Sequence, residues 1–206
     1  MALFRNLRGA ILPGPLIEIV SRGAGWIVSL GGGWRGMAVE ERARATFLNL
    51  RYGWRARRIG RHVVVDHPAR LEIGDGSSIR HGVVIAIGRE GHCRIGRGCH
   101  ISHNSVLAAS GGIVIGDGCA LSSGVVIYSI TNGPTSDGQS PVGGAAIRAE
   151  VVLDRDIHVG MGVRILPGVQ IGAAAVLGAG AVVTTNVEPG ATMTGIPARP
   201  RGTSGD

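Results

Sequence analysis

The chain contains no lysine; its 21 basic side chains are all arginine. Aromatic residues make up only 3%. So little ring area excludes a core built on packed aromatics, as in many bundles and sandwiches. Cysteine is scarce: Cys93, Cys99 and Cys119 form an odd set without metal-ligand spacing. Neither a disulfide framework nor a metal site is expected, and a reducing, cytoplasmic compartment fits. An uninterrupted signal-like segment is missing too. Arg5 and Arg8 imitate a charged start, but Pro13 and Pro15 break the apolar stretch behind them. Residues 165–187 carry no charge and are long enough to span a bilayer. Pro167 and four glycines inside that run, with aliphatics every six residues, argue against a membrane span.

What the chain does have is 36 glycines and 44% hydrophobic residues in 206 positions. The aliphatic content excludes disorder, and glycine without a strict every-third period excludes collagen. The formal charge of +7 is uneven: residues 1–100 hold 16 of the 21 arginines against 7 acids. Such a half can face nucleic acid, an anionic membrane or a phosphate-rich ligand, or simply water. No recognised motif or interleaved aromatics support nucleic acid, so no nucleic-acid partner is expected.

Periodicity carries the fold. Leu153, Val159, Ile165, Ile171, Leu177 and Val183 follow one another at six-residue steps. Ile73, Ile79 and Ile85 form an earlier register, Ile95, Ile101, Leu107 and Ile113 a second, and Ile115, Leu121 and Ile127 a third. The fourth residue after each anchor is small or β-branched, as at Ser77, Val83, Cys99, Ser105, Cys119 and Val125. Cys99 and Cys119 therefore read as corner residues, not reactive thiols. A six-residue period fits neither an amphipathic helix nor an alternating strand. It fits a short strand plus a corner. Three such faces close a triangular coil of about eighteen residues, and coils stack at roughly 4.8 Å. The expected fold is an all-β solenoid, a left-handed parallel β-helix with an N-terminal helical extension.

Register breaks mark insertions. Ile85 to Ile95 carries extra residues, Ile113 to Ile115 is a shift of two, and Ile127 to Leu153 holds a long excursion. Counted in threes, all three leave the same corner, where sites are commonly built. The expected organisation is an extension over 1–58, a β-helix over 59–201 with an external loop at about 128–150, and a tail over 202–206. Residues 36–51 read as a helix with Met37, Val39, Ala43, Phe47 and Leu50 near one face. The segment 1–35, with Trp26 and Trp34, either caps the first coil or touches a membrane surface.

The stretch IGDGCALSSGVVIYS, the loop after it, and VGMGVRILPGVQIGAAAVLGAGAVVTTNVEPGATMTGIPAR resemble the hexapeptide-repeat acyltransferases. The nearest pattern is the galactoside and maltose O-acetyltransferase branch, with relatives in surface-polysaccharide synthesis. The resemblance covers about residues 59–201. It implies a homotrimer of prisms side by side, with acetyl-CoA or another acyl-CoA in the cleft between neighbours. By position it implies that Met161, Ala179, Thr184, Thr185 and Arg199 contact the acyl donor, with Arg201 nearby. Arg199 suits a nucleotide phosphate, because guanidinium gives planar, charge-assisted hydrogen bonds. Thr185 stands where the family often has lysine. Corner packing is the other reading of Thr184 and Thr185.

The family places a general-base histidine in the excursion; here that position falls on Asn132, or on Gly133 with a one-residue shift. Neither accepts a proton at neutral pH. A general base contributes about 10²–10⁴ in rate, roughly 3–5 kcal/mol. His158, where the family usually carries tryptophan, is the first replacement candidate. His103, sharing a coil position with His81 and Ser123, is the second, and His92 in the first insertion the third. His100 and His158 share another coil position with Ala120 between them. Asp137 in the loop is a candidate to orient an imidazole. An amine acceptor needs no base at all. The expected activity is acyl transfer to a sugar or glycan hydroxyl or amine, on an acceptor that the basic half allows to be phosphorylated or lipid-linked at the inner membrane face. The alternatives are a non-catalytic trimeric scaffold and, more remotely, a zinc lyase on the same fold, whose required histidine pattern IGDGCALSS lacks.

Overall fold

The computed structural model describes residues 18–22, 25–29, 34–133 and 145–201. It is a left-handed parallel β-solenoid of about six turns with one N-terminal helix. The first face stacks Arg58–Ile59, Ser78–Ile79, His100–Ile101, Ala120–Leu121, His158–Val159, Val176–Leu177 and Thr192–Thr194. The second stacks Val64–Val65, Val84–Ala86, Val106–Ala108, Val126–Tyr128, Arg164–Ile165 and Val182–Val183. The third stacks Leu71–Ile73, Cys93–Ile95, Ile113–Ile115, Val151–Leu153 and Gln170–Ile171, with Val187 bridging to Ile171.

Register explains why six residues repeat. Ile59, Ile79, Ile101, Leu121, Val159 and Leu177 pair in sequence up the first face, and all are buried. Ile85, Leu107, Ile127, Ile165 and Val183 do the same on the second, and Ile73, Ile95, Ile115, Leu153 and Ile171 on the third. Each buried aliphatic contributes about 1.5–3 kcal/mol. The residue after each anchor points outward and donates its backbone N–H to the next coil, as Gly116 does to Leu153 O at 2.8 Å. A Cβ at Gly116 meets Asp154 C at 2.7 Å, so glycine there is set by the coil spacing.

The three insertions do share a corner. All lie between a second-face and a third-face strand, at residues 87–92, 109–112 and 129–150. The long one starts as an antiparallel hairpin, Ile130–Asn132 against Ala146–Arg148. This is the loop corner below. The corner between first and second faces has no insertion. It turns through left-handed residues at His62, Gly82, Asn104, Gly124, Gly162 and Gly180.

The N-terminal part differs from expectation in two ways. An antiparallel hairpin, Glu18–Arg22 with Gly25–Ser29, precedes the helix, and its second strand lies against Val64–Val65. The helix α1 runs Trp34–Tyr52, but its docked face is not the apolar one. Ala43, Phe47 and Leu50 are exposed, whereas Glu41, Arg44 and Ala45 are buried; the side chains of Met37 and Val39 lie outside what is described. The reason is the open end of the solenoid, whose strand carbonyls have no coil beneath them. Arg44 Nη1 donates to Ile59 O at 2.7 Å, and Arg80 Nη1 donates to Glu41 Oε2 at 3.0 Å. Trp54 Nε1 donates to Leu71 O at 2.7 Å. The docking mixes these polar contacts to backbone with apolar packing of Ala45, Leu48 and Tyr52 on the core. Membrane contact through 1–35, the loop centre with Asp137 and the tail 202–206 fall largely or wholly outside the described residues. No helix among the described residues is long and apolar enough to cross a membrane.

The ladder makes a stability prediction. Leu121→Ala removes a fully buried rung and is expected to cost about 2–5 kcal/mol, against less than about 1 kcal/mol for the outward Val176→Ala. Urea unfolding midpoints check this; equal effects at both positions contradict the register.

Candidate active site

The first face carries an outward column in register: Arg58, Ser78, His100, Ala120, His158 and Val176. Ala120 therefore does lie between the two imidazoles. Its short side chain leaves a groove of about 340 Å³ lined by His100, Ser102, Ala120, Leu121, Ser122, Ser123, His158 and Met161.

The adjoining corner carries a second column. The N–H of Asn104 donates to His81 O, Gly124 to His103 O, Gly162 to Ser123 O, and Gly180 to Met161 O, at 2.7–3.0 Å. His81, His103, Ser123, Met161 and Ala179 thus rise one per coil along one edge. The His81 and His103 rings stack with centroids 5.5 Å apart. His103 Nδ1 lies 3.3 Å from Ser102 Oγ, which also meets Ser123 Oγ at 3.0 Å. His81 accepts the Arg61 N–H at Nδ1, and its Nε2 lies 3.0 Å from Glu41 Oε1, near enough for attraction but misaligned for a hydrogen bond. Burial holds His81 below the usual imidazole range despite the pull of Glu41. Burial, then the fields of Arg80, His103 and Arg58, lowers His100 as well.

His103, His158, Met161 and Ala179 are therefore brought to one edge. The other candidates are not with them in the same chain. Asn132 is exposed at the end of the first hairpin strand, opposite Ala146, on the loop corner. Thr184 and Thr185 follow Val182–Val183 onto that same corner, later in the stack. The second face stands between the two corners. Arg199 and Arg201 belong to the closing turn: Arg199 pairs with Thr194, and Arg201 N–H donates to Thr192 O at 2.7 Å.

The loop corner holds contacts that spacing did not reveal. His92 Nε2 lies 2.9 Å from Glu150 Oε1, across a coil whose Gly112 lacks the Cβ that His92 Cε1 would meet at 2.8 Å. Arg148 reaches Glu90 at 3.7 Å, and Ser129 Oγ accepts the Gly111 N–H. His92 was identifiable as lying beside the loop; its partner was not, because Glu150 is 58 residues away. Ser102 and Arg58 were also missed, since outward register becomes visible only once the coils are aligned. No group of three or more metal-ligating side chains occurs among the described residues.

No protein-family model matches the chain. Nodulation protein L of Rhizobium meliloti is 37% identical over 137 residues, covering 64% of this chain and 69% of that protein. A serine acetyltransferase of Buchnera aphidicola is 34% identical over 106 residues, 51% of this chain. The chain spans only 34–42% of the length of the first curated relatives it matches. Among solved structures, variants of AntD, an N-acyltransferase from Bacillus cereus, superpose with TM-scores of 0.62 and 0.60 at 21% and 20% identity, over 74–77% of this chain and 86–87% of theirs. Those crystals contain coenzyme A with dTDP or with dTDP-4-amino-4,6-dideoxyglucose. The chain belongs to the hexapeptide-repeat acyltransferase family.

Cys99 and Cys119 are packing residues, as their corner positions imply, and Cys93 opens the third-face strand Cys93–Ile95. All three are free and buried. Burial pushes Cys93 up to about 12 and Cys119 up to about 11, and raises Cys99. Cys99 and Cys119 Sγ donate to Gly116 O and Asp154 O at 3.1 and 3.0 Å. Thiolate is the reactive form, so native protein at pH 8 should resist a disulfide reagent and release three equivalents only in denaturant. Rapid labelling of the native protein contradicts this.

Proposed function

We propose that this protein is an acyl-CoA-dependent acyltransferase, acting from acetyl-CoA in the first instance on a hydroxyl or amine of a sugar or glycan. The observation that carries the reading is the groove of His158, Met161 and Ser123 beside the Ala179 corner. It is open, is lined in part by the apolar Ala120, Leu121 and Met161, and holds imidazole next to the positions that the family uses for the donor. Ala179 lies between Gly178 and Gly180, which keeps the corner shallow enough for a narrow pantetheine arm.

The working unit is a homotrimer. Support comes from the outside of the second face, where Val84, Val106 and Val126, with Ala86 and Ala108, present half-buried apolar side chains in a row, and Val182 resumes it above the exposed Arg164. A parallel sheet that is apolar over three successive coils of its outer side calls for cover there. Cyclic threefold packing with this face toward the axis sets the imidazole corner of one subunit against the loop corner of the next. That arrangement reunites Met161, Ala179 and His158 with a neighbour's Asn132, Thr184 and Thr185. Arg199 and Arg201, at the closing turn, then serve the phosphates of the donor.

His158 is the proposed base, with His103 the second candidate. The base takes the acceptor proton as the acceptor oxygen bonds to the thioester carbon; the C–S bond breaks and coenzyme A leaves as thiolate, which is then protonated. Asn132 serves as a hydrogen-bond donor to the reacting groups, since an amide cannot take the proton. With an amine acceptor the neutral nitrogen attacks unaided, and the imidazole is dispensable. A trimeric scaffold without chemistry is the second reading, and Asn132 is the observation that favours it.

Calorimetric titration with acetyl-CoA is expected to show binding, and no heat at millimolar ligand favours the scaffold. With methyl glucoside and glucosamine as probe acceptors, His158→Ala should lower turnover on the hydroxyl by about 10²–10⁴ with little change for the amine. Unchanged rates in both His158→Ala and His103→Ala remove the base assignment.

A further inference from the structure

The side of α1 that faces away from the solenoid carries an apolar patch. At about 100° per residue, Leu50, Ala43 and Phe47 fall within about 60° of one another on the helix. All three are exposed, Phe47 by 47% and Leu50 by 85%. Arg42 and Thr46 stand at one margin of the patch and Arg51 at the other, and all three are exposed. The opposite side is engaged by the first coil. There Arg44 donates to Ile59 O, Glu41 meets Arg80, and Ala45, Leu48 and Tyr52 pack on the core. The patch therefore lies across the open end of the solenoid and is directed away from it.

The charge around the patch has one sign. The Arg42 side chain makes no ion pair among the described residues, and the Arg51 guanidinium lies over the Tyr52 ring at 5.3 Å. Arg57 is exposed at the same end, where its backbone N–H joins Ser77 O. The neighbouring carboxylates are already held: Glu40 by Arg61 at 2.8 Å, Glu41 by Arg80 at 3.0 Å and Asp75 by Arg55 at 3.1 Å. A single exposed leucine needs no explanation, but Phe47 and Leu50 are adjacent on one helix face and framed by cations. A second copy of the chain would set Arg42 and Arg51 against like charge. Nucleic acid rewards the arginines alone and leaves Phe47 and Leu50 without a role. A bilayer with anionic headgroups answers both: apolar side chains enter the headgroup boundary while guanidinium groups stay among the phosphates.

We infer that the outer face of α1 docks the molecule on an anionic phospholipid bilayer, with Phe47 and Leu50 entering it and Arg42 and Arg51 against headgroup phosphates. The surface is complete within one chain and does not depend on the acyl-transfer reading. The contact is peripheral, with α1 lying along the bilayer; no helix among the described residues is long and apolar enough to cross one. The coils then rise from the membrane in order. The His158 strand is the fifth of the first face, four spacings or roughly 19 Å beyond Arg58. Docking leaves the His158 groove uncovered.

The test is co-sedimentation of the full chain with vesicles of phosphatidylcholine, alone or with one third phosphatidylglycerol. Partition onto the anionic vesicles should be at least about tenfold higher and should fall as salt is raised. Phe47→Ser with Leu50→Ser, and separately Arg42→Gln with Arg51→Gln, should each lower it at least about fivefold. Arg42→Lys with Arg51→Lys keeps both charges and should retain the binding. All four side chains are exposed, so the urea midpoint should be unchanged in every variant. Equal partition onto the two kinds of vesicle, or partition that the Phe47 and Leu50 substitutions leave unchanged, overturns the inference. So does a duplex oligonucleotide that displaces the protein from vesicles and binds the serine variant undiminished, because the face then reads charge alone. Self-association lost in the serine variant, with no vesicle bound by the parent, overturns it in favour of a second copy.

Discussion

The structure depends on one constraint: each coil must place an aliphatic side chain directly above the one below, on three faces at once. Ile79, Ile101 and Leu121 on the first face can meet only if Ile85, Leu107 and Ile127 also meet on the second. A one-residue slip would turn every anchor outward. Insertions are therefore tolerated only where a corner absorbs them without shifting the strands. All three here use the same corner, so twenty-odd residues between Tyr128 and Val151 leave the Ile127–Ile165 and Ile115–Leu153 pairs undisturbed. The rigid stack and the variable corner have one origin.

That constraint also arranges the chemistry. A side chain two positions after its anchor on one coil is directly above its counterpart on the last, so single residues become columns. Histidines and serines widely spaced in the chain line one groove, and Met161 and Ala179 continue the His103 column upward. Electrostatics follows the same geometry. Burial first, and then the arginines of neighbouring coils, shift His100 and His81 toward the neutral form, against the pull of Glu41 on His81; neutral imidazole both accepts and donates hydrogen bonds. At the open end the solution is different: Arg44 and Glu41 enter a buried position because bare strand carbonyls and Arg80 await them there.

Much of this was legible in the residues. The period of six named the coil, the register breaks named the corner that protrudes, and the positions of Cys99 and Cys119 named them as packing. His100 and His158 flanking Ala120 follow from counting alone. Three things did not. The helix was assigned the wrong buried face, because amphipathicity presumes an apolar partner surface and the first coil offers backbone acceptors instead. The His92–Glu150 contact escaped because it spans a coil and an excursion whose length the period does not set. The division of Thr184, Thr185 and Asn132 from Met161 and Ala179 was hidden because family position says which residues meet a ligand but not from which corner. In the proposed trimer, that division puts the two groups on neighbouring chains.

A shared cleft requires that the donor bind between copies of the chain. Sedimentation velocity of the protein with acetyl-CoA, followed through the absorbance of the adenine, addresses this directly. The nucleotide should travel with a species of three chains. Nucleotide that stays behind, or that travels with a single chain, contradicts the shared cleft.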